Sequence, residues 1–239
     1  MNRSKEPNKE TLCVIPARGG SKDIPRKNIK PLVGKPLIYY SINTALQSKL
    51  ISRVIVSTED NEIAKIAKGF GADVPFLRPS KLAADNVHSV YAILDIIEKL
   101  KERESYIPDA VIMLLPTSPL TTSKHIDDAI SLYFKHNNGS VISVCPFEKP
   151  LSSIRKIEQH KLNPIFKVKN FNVQRQDSQL YVVNAAIYIT KPERLIKYKT
   201  FHKGEVYPYI MSKEDSIDIN DELDFEFAEF LLSKKGNNI

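Results

Sequence analysis

Only two cysteines occur in 239 residues, Cys13 and Cys145, each inside an apolar, strand-like run. That count excludes a metal centre built on cysteine and lends no support to a disulfide framework, so both thiols are expected to be buried packing groups. Long apolar runs are missing too, and nothing approaches the ~18 residues of a membrane span. The polar opening MNRSKEPNKE has no apolar segment of the signal-peptide kind, so a cytoplasmic chain is expected. There is no internal repeat and no low-complexity tract, and the five histidines are scattered, which favours packing or surface roles for each. Neither GxxxxGK[ST] nor GxGxxG occurs, which disfavours the P-loop and dinucleotide-binding readings.

What is present describes a folded chain. A 42% hydrophobic composition is enough for a core, and one domain over 11–239 is expected after a disordered lead-in at 1–10. The net charge of +7 permits an anionic partner. The lysines are scattered rather than striped, with no arginine–aromatic pattern, so a small anionic substrate is favoured over nucleic acid.

Strand-like and helix-like segments alternate. TLCVIP, RVIVST, AVIMLLP and SVISVCP read as buried strands. PLIYYSINTALQSKL, EDNEIAKIAKGFGA, VHSVYAILDIIEKLKERE and SKHIDDAISLYFKHNNG carry helical spacing, the last with Ser123 as its cap. The order predicts an α/β fold with a mostly parallel sheet covered on both faces. Between about 150 and 183 the pattern loosens, with KIEQHKLNP suited to a turn between short strands, and a protruding arm is expected there. AAIYI and VYPYIM restore strands, and DELDFEFAEFLLSK ends the chain as a helix.

Three stretches carry chemistry. IPARGGSKDIPRKN follows the first strand, at the sheet edge where α/β proteins bind ligands. Its glycines allow close backbone approach and its cations suit phosphate oxygens, although a solvated basic turn has the same composition. PTSPLTTSKHIDDA follows AVIMLL and puts Thr117 and Ser118 at that edge, or is a plain strand-to-helix turn. SIDINDELDFEFAE places Asp218 in an alternating, strand-like run before a helix, where its oxygens suit magnesium against phosphates. Asp221 and Glu222 suit the helix dipole.

Together these stretches resemble the acylneuraminate cytidylyltransferase family, whose members include CMP-sialic acid synthetases. The resemblance runs from about Leu12 to the final helix. It includes IPARGGSKDIPRKN, GKPLIYYSI, RVIVSTEDNEIAKIAKGFGADVPFLRPSKLAAD, PTSPL, NAAIYI and MSKEDSIDINDELD. It implies a Rossmann-like nucleotidyltransferase, a homodimer with an arm reaching the partner, and transfer of a nucleotide from CTP, with magnesium, to a small anionic acceptor. By the same resemblance Ala17, Arg18, Gly19, Ser21, Lys22, Lys27 and Asn28 surround the triphosphate, with Arg18 and Lys27 nearest the reacting phosphorus. Leu77, Arg78 and Ser89 lie by the base and ribose, although a surface ion pair is the plain alternative for Arg78. Leu115, Thr117, Ser118, Asn184 and, from the arm, Arg175 hold the acceptor. Asp218 is the expected magnesium ligand, with Asn220 beside it.

The chain departs from the family pattern at four places. Asp23 stands where a glycine is common; Leu115 and Thr121 replace the glutamine and arginine of LQPTSPLR; the NGAIY glycine is Ala185, with Val182 where sialic acid synthetases have arginine. Asn220 replaces the second acid of SIDID and can still ligate, without charge, through its carbonyl. The nucleotide half is thus largely intact while acceptor groups have changed, which implies an acidic sugar other than ordinary N-acetylneuraminate. A cytidylyl- or guanylyltransferase acting on a phosphorylated acceptor and an inactive nucleotide-binding homologue are the competing expectations.

Overall fold

The computed structural model describes residues 9–136, 139–166 and 180–236. Most of the expected lead-in and the central part of the expected arm, including Arg175, lie outside the described residues. A six-stranded sheet forms the centre. Its strands are β1 (Thr11–Pro16), β4 (Arg53–Ser57), β5 (Ala110–Leu114), β6 (Ser140–Phe147), β9 (Leu180–Thr190) and β10 (Val206–Ile210), in the order β10-β6-β9-β5-β1-β4. Two short pairs stand apart, β2 (Pro31–Leu32) with β3 (Lys35–Pro36), and β7 (Arg155–Glu158) with β8 (Lys161–Pro164). The second pair is the turn expected in KIEQHKLNP, and the first lies in a segment that carries no strand-like run.

β1 pairs in parallel with both β4 and β5, and β10 in parallel with β6, whereas β9 runs antiparallel between β5 and β6. The sheet is therefore mostly parallel, as expected, with one reversed strand inside it. Alternation along each strand sorts the core into two layers. Cys13, Ile15, Ile112 and Ile189 face α1 (Leu37–Gln47), α2 (Asn61–Gly69) and α4 (Ser123–Lys135). Leu12, Val14, Val111 and Tyr188 face α3 (Val90–Glu104) and α5 (Pro192–Tyr198). Covering both faces is what makes Leu12–Ile15 of β1 and Ala110–Leu114 of β5 apolar at every position, and each fully buried Leu, Ile or Val contributes on the order of 1.5–3 kcal/mol. The third layer, α6 (Glu222–Gly236), packs Phe225 and Ala228 on Ile24, Leu32, Leu37 and Ile219.

Several local expectations are corrected. The α4 cap is Thr122, one residue before Ser123: its hydroxyl accepts from the His125 amide, and His125 accepts from the Thr122 amide. Cys13 is fully buried, but Cys145 is only half-buried, on the part of β6 whose β9 partners Tyr181 to Val183 are exposed. Asp218 lies in an extended segment rather than a strand, between a 3-10 turn at Glu214–Ser216 and α6. Among the described residues no helix is long and apolar enough to cross a membrane.

Candidate active site

Because β1, β4 and β5 are parallel neighbours, their carboxyl ends share one edge. The loops leaving that edge enclose a cleft of about 540 Å³. It gathers most of the residues selected from the sequence: Arg18, Ser21, Lys22, Lys27 and Asn28 from the loop after β1; Arg78 and Ser89 from the stretch before α3; Leu115 and Thr117 after β5; and Asp218 and Asn220 before α6.

The loop after β1 holds its shape through side chains inside it. Asn28, buried, donates from Nδ2 to the Arg18 carbonyl at 2.8 Å, and the Ser21 hydroxyl accepts from the Lys27 amide at 3.1 Å. Arg26 sits in the left-handed region at φ 58° and is tied to Asp60 and Glu62, so one of the four loop cations is structural. The hydrogen bond that Arg26 donates to Asp60 is the leading reason that this carboxyl titrates below its ordinary value. Asp60 also caps α2, accepting from the amides of Glu62 and Ile63.

The other three cations point to the cleft. Arg18 and Lys22 both pair with Asp85, at 2.5 Å and 2.8 Å. These contacts, the Lys22 bond foremost, hold the Asp85 carboxyl below its ordinary range. Lys27 donates to the Ile219 carbonyl at 2.8 Å, and burial lowers its pKa even though Asp218 and Asp23 oppose the shift. Asp23 also lines the cleft, within electrostatic reach of Lys27.

The segment before α6 is pinned from two sides. The Ile219 amide donates to the Thr117 carbonyl at 2.8 Å, its carbonyl accepts from Lys27, and its side chain is fully buried. Alternation then presents Asp218 and Asn220 to the cleft. Asp221 and Asp224 are committed to α6, the Asp224 amide donating to Asp221 Oδ1 at 3.0 Å and the Asp221 amide to Asp224 Oδ2 at 3.3 Å. Asp221 thus sits at the helix start where it was expected to complement the dipole and accepts from an amide there as well, while Glu222 pairs with Lys30.

Asp218 makes no ion pair among the described residues; the one hydrogen bond its carboxylate accepts among them is from Asn220 Nδ2, at 3.4 Å. No group of three acidic, histidine or cysteine side chains among them is arranged to hold a metal. That donor set fits a magnesium ion, which binds through one or two carboxylates, substrate phosphates and water, and does not fit a cage made of protein alone.

Other selected residues serve from outside the lining. The Ala17 amide continues the sheet edge by donating to the Ser57 carbonyl, and Leu77 is exposed. Gly19 has its amide taken by Glu59 Oε1 at 2.7 Å, and a Cβ there would lie 2.6 Å from Asp60 Oδ2. Glycine is needed at this position for contact with Asp60, not to bare an amide. Ser118 is buried with its hydroxyl unpartnered, and Asn184 is buried with Nδ2 donating to Ser216 Oγ at 2.7 Å. Thr121 is buried as well, so of the two changed PTSPL positions only Leu115 meets the cleft. Asp85, Asn86 and His88 line the cleft and were not singled out, although they directly follow the LAA of the family-like stretch.

The sequence model of a family described as "Cytidylyltransferase" matches residues 12–231. The chain is 34% identical over 223 residues to the CMP-N,N'-diacetyllegionaminic acid synthase of Legionella pneumophila, covering 92% of this chain and 95% of that one. It is 36% identical over 225 residues to the N-acylneuraminate cytidylyltransferase of Escherichia coli, covering 94% of this chain but 52% of that longer protein. The solved structure of CMP:2-keto-3-deoxy-manno-octonic acid synthetase complexed with CTP has the same fold, with a TM-score of 0.72 at 15% identity over 95% of this chain and all of that one. With the match running from β1 into α6 and enclosing every element of the cleft, the chain belongs to the cytidylyltransferase family and is a nucleotidyltransferase.

Proposed function

We propose that the protein transfers CMP from CTP to a sialic-acid-like nonulosonate, giving a CMP-sugar and pyrophosphate. The observation that carries this is one cleft holding Arg18, Lys22 and Lys27 opposite Asp218, in a chain whose similar relatives are named for CMP-legionaminic acid synthesis and neuraminate cytidylyl transfer. The anomeric hydroxyl of the acceptor forms an O–P bond to the α-phosphorus, the α–β bridging bond breaks, pyrophosphate leaves, and the hydroxyl proton passes to water.

In such a transfer the protein's task is to stabilise charge on phosphoryl oxygens and leaving group. Arg18 and Lys27 serve the reacting phosphate and Lys22 the outer phosphates. Lys27 is fixed by its bond to Ile219, so little reorganisation accompanies the reaction. Asp218, with the neutral Asn220, is the proposed magnesium site; bound magnesium would neutralise phosphate charge there. Arg78 and Ser89 serve the base and ribose. Leu115, Thr117, Ser118, Asn184 and Arg175 are the proposed acceptor residues, and a homodimer is proposed with them.

Leu115 supports an acceptor other than N-acetylneuraminate: a leucine at the cleft gives up hydrogen bonds that the family's glutamine would make. A pyrophosphate-release screen crossing four nucleoside triphosphates with several nonulosonic acids and phosphorylated acceptors tests the reading. Turnover with CTP and a legionaminic- or pseudaminic-type acid is expected. Efficient use of N-acetylneuraminate would overturn the acceptor assignment, and release only with a phosphorylated acceptor would overturn the substrate class.

A further inference from the structure

Glu59, two residues past the end of β4, touches both walls of the cleft without lining it. Its Oε1 accepts from the Gly19 amide at 2.7 Å, and its Oε2 accepts from Arg78 Nη2 at 2.6 Å. Arg78 is fixed a second time by its amide, which donates to the Thr58 carbonyl at 2.8 Å. Both side chains are withdrawn from water, at 4% exposure for Arg78 and 17% for Glu59. Yet Arg78 lines the cleft, and its buried Nε has no hydrogen-bond partner.

We propose that Glu59 is a positioning residue, one carboxylate that sets the loop carrying Arg18 and the guanidinium of Arg78 at a fixed separation. This rests on the reading of the cleft as a nucleoside triphosphate site. Glu59 then aligns the wall that receives phosphate with the wall that receives the base. The chemistry requires a carboxylate of this length. Both partners are donors, so two acceptor oxygens are needed, and an amide offers only one. Aspartate keeps both oxygens but is one methylene short of spanning the gap. Burial alone would push Glu59 up, but the bonds from Arg78 and Gly19 outweigh it and hold the carboxyl below its ordinary value, so it is ionised at neutral pH.

The test compares steady-state kinetics of wild type, Glu59→Gln and Glu59→Asp with CTP and with UTP, after a thermal melt shows each variant folded. Glu59→Gln is expected to raise KM for CTP by about tenfold, the scale of one lost hydrogen bond between charged groups, with kcat within about twofold. The preference for CTP over UTP should shrink, and Glu59→Asp should not restore it. In a double-mutant cycle with Arg78→Ala the effects should be less than additive. A purely structural role would lower kcat through loss of folded protein and leave KM and base preference unchanged. Unchanged KM and preference in Glu59→Gln, or additive effects in the cycle, would overturn the proposal while wild-type turnover upheld the site. A wild type that binds no CTP by calorimetry would overturn both.

Discussion

Asp85 accepts a 2.5 Å hydrogen bond from Arg18, joining the loop before α3 to the loop after β1. With Lys22 on its other oxygen, this carboxylate holds two of the three cations that the loop after β1 turns to the cleft. On the proposed function, an incoming triphosphate competes with this internal anion. Removing that anion in Asp85→Asn is expected to tighten CTP binding at low salt by up to about fivefold, the ceiling for solvent-exposed pairs. The gain should fade as ionic strength rises. Calorimetric titration at two salt concentrations measures it, and weaker binding at both would show that Asp85 assists the nucleotide instead.

The metal assignment is tested at two adjacent cleft positions. Asp218→Ala is expected to abolish turnover, because it removes the one carboxylate in this segment that has no structural commitment. Asn220→Asp is expected to leave turnover unchanged or raise it, with half-saturation at lower magnesium, since a second charge is added. Pyrophosphate release across a magnesium titration separates these outcomes. Full activity in Asp218→Ala would refute the assignment.

His125 links pH to stability. Its ring nitrogen Nδ1 accepts from the Thr122 amide in the α4 cap, which the protonated ring cannot do. Burial lowers its pKa from 6.5, outweighing the opposing pull of Asp215. The unfolded chain therefore binds the proton at a higher pH than the folded one, and stability falls as pH drops below the unfolded value until the folded ring titrates. His125→Gln should flatten this dependence, read as the thermal midpoint between neutral pH and about pH 5. Parallel curves for the two proteins would exclude His125 as its source.

Ala185 holds φ at 60° in β9, where family members commonly have glycine. That conformation costs a residue with a Cβ roughly 1–2 kcal/mol, while glycine loses about 0.5–1 kcal/mol more on ordering. Ala185→Gly is thus expected to stabilise the fold by up to about 1 kcal/mol, or about 2–4 °C for a chain of this size. A lowered midpoint in differential scanning calorimetry would contradict this.

The layered core was legible because β1 and β5 are buried along most of their length, so that Leu12–Ile15 and Ala110–Leu114 are apolar at each step. Direction was not: AAIYI reads identically whether β9 runs with or against β5, because an apolar strand buried on both faces has the same pattern in either direction. α5 at KPERLIKY and the β2–β3 pair are too short to leave a period. In the site, the cations and Asp218 stood out because their charge is unusual where they occur. Glu59 and Asp85 did not, since an acid at a helix start or after a turn is ordinary, and only the fold brings Glu59 between Gly19 and Arg78. Gly19 was legible as a necessity but not for its reason, because Asp60 is 41 positions further along the chain.

The bond from Lys27 to Ile219 joins positions 192 apart. As the chain leaves the ribosome, β1, β4 and β5 can pair early, yet the wall that carries Asp218 arrives only with the segment that precedes α6. Until then Lys27 lacks its anchor and the pocket stays open on one side. The proposed site is consequently assembled from the two ends of the chain, and it is complete only once the segment before α6 has been synthesised.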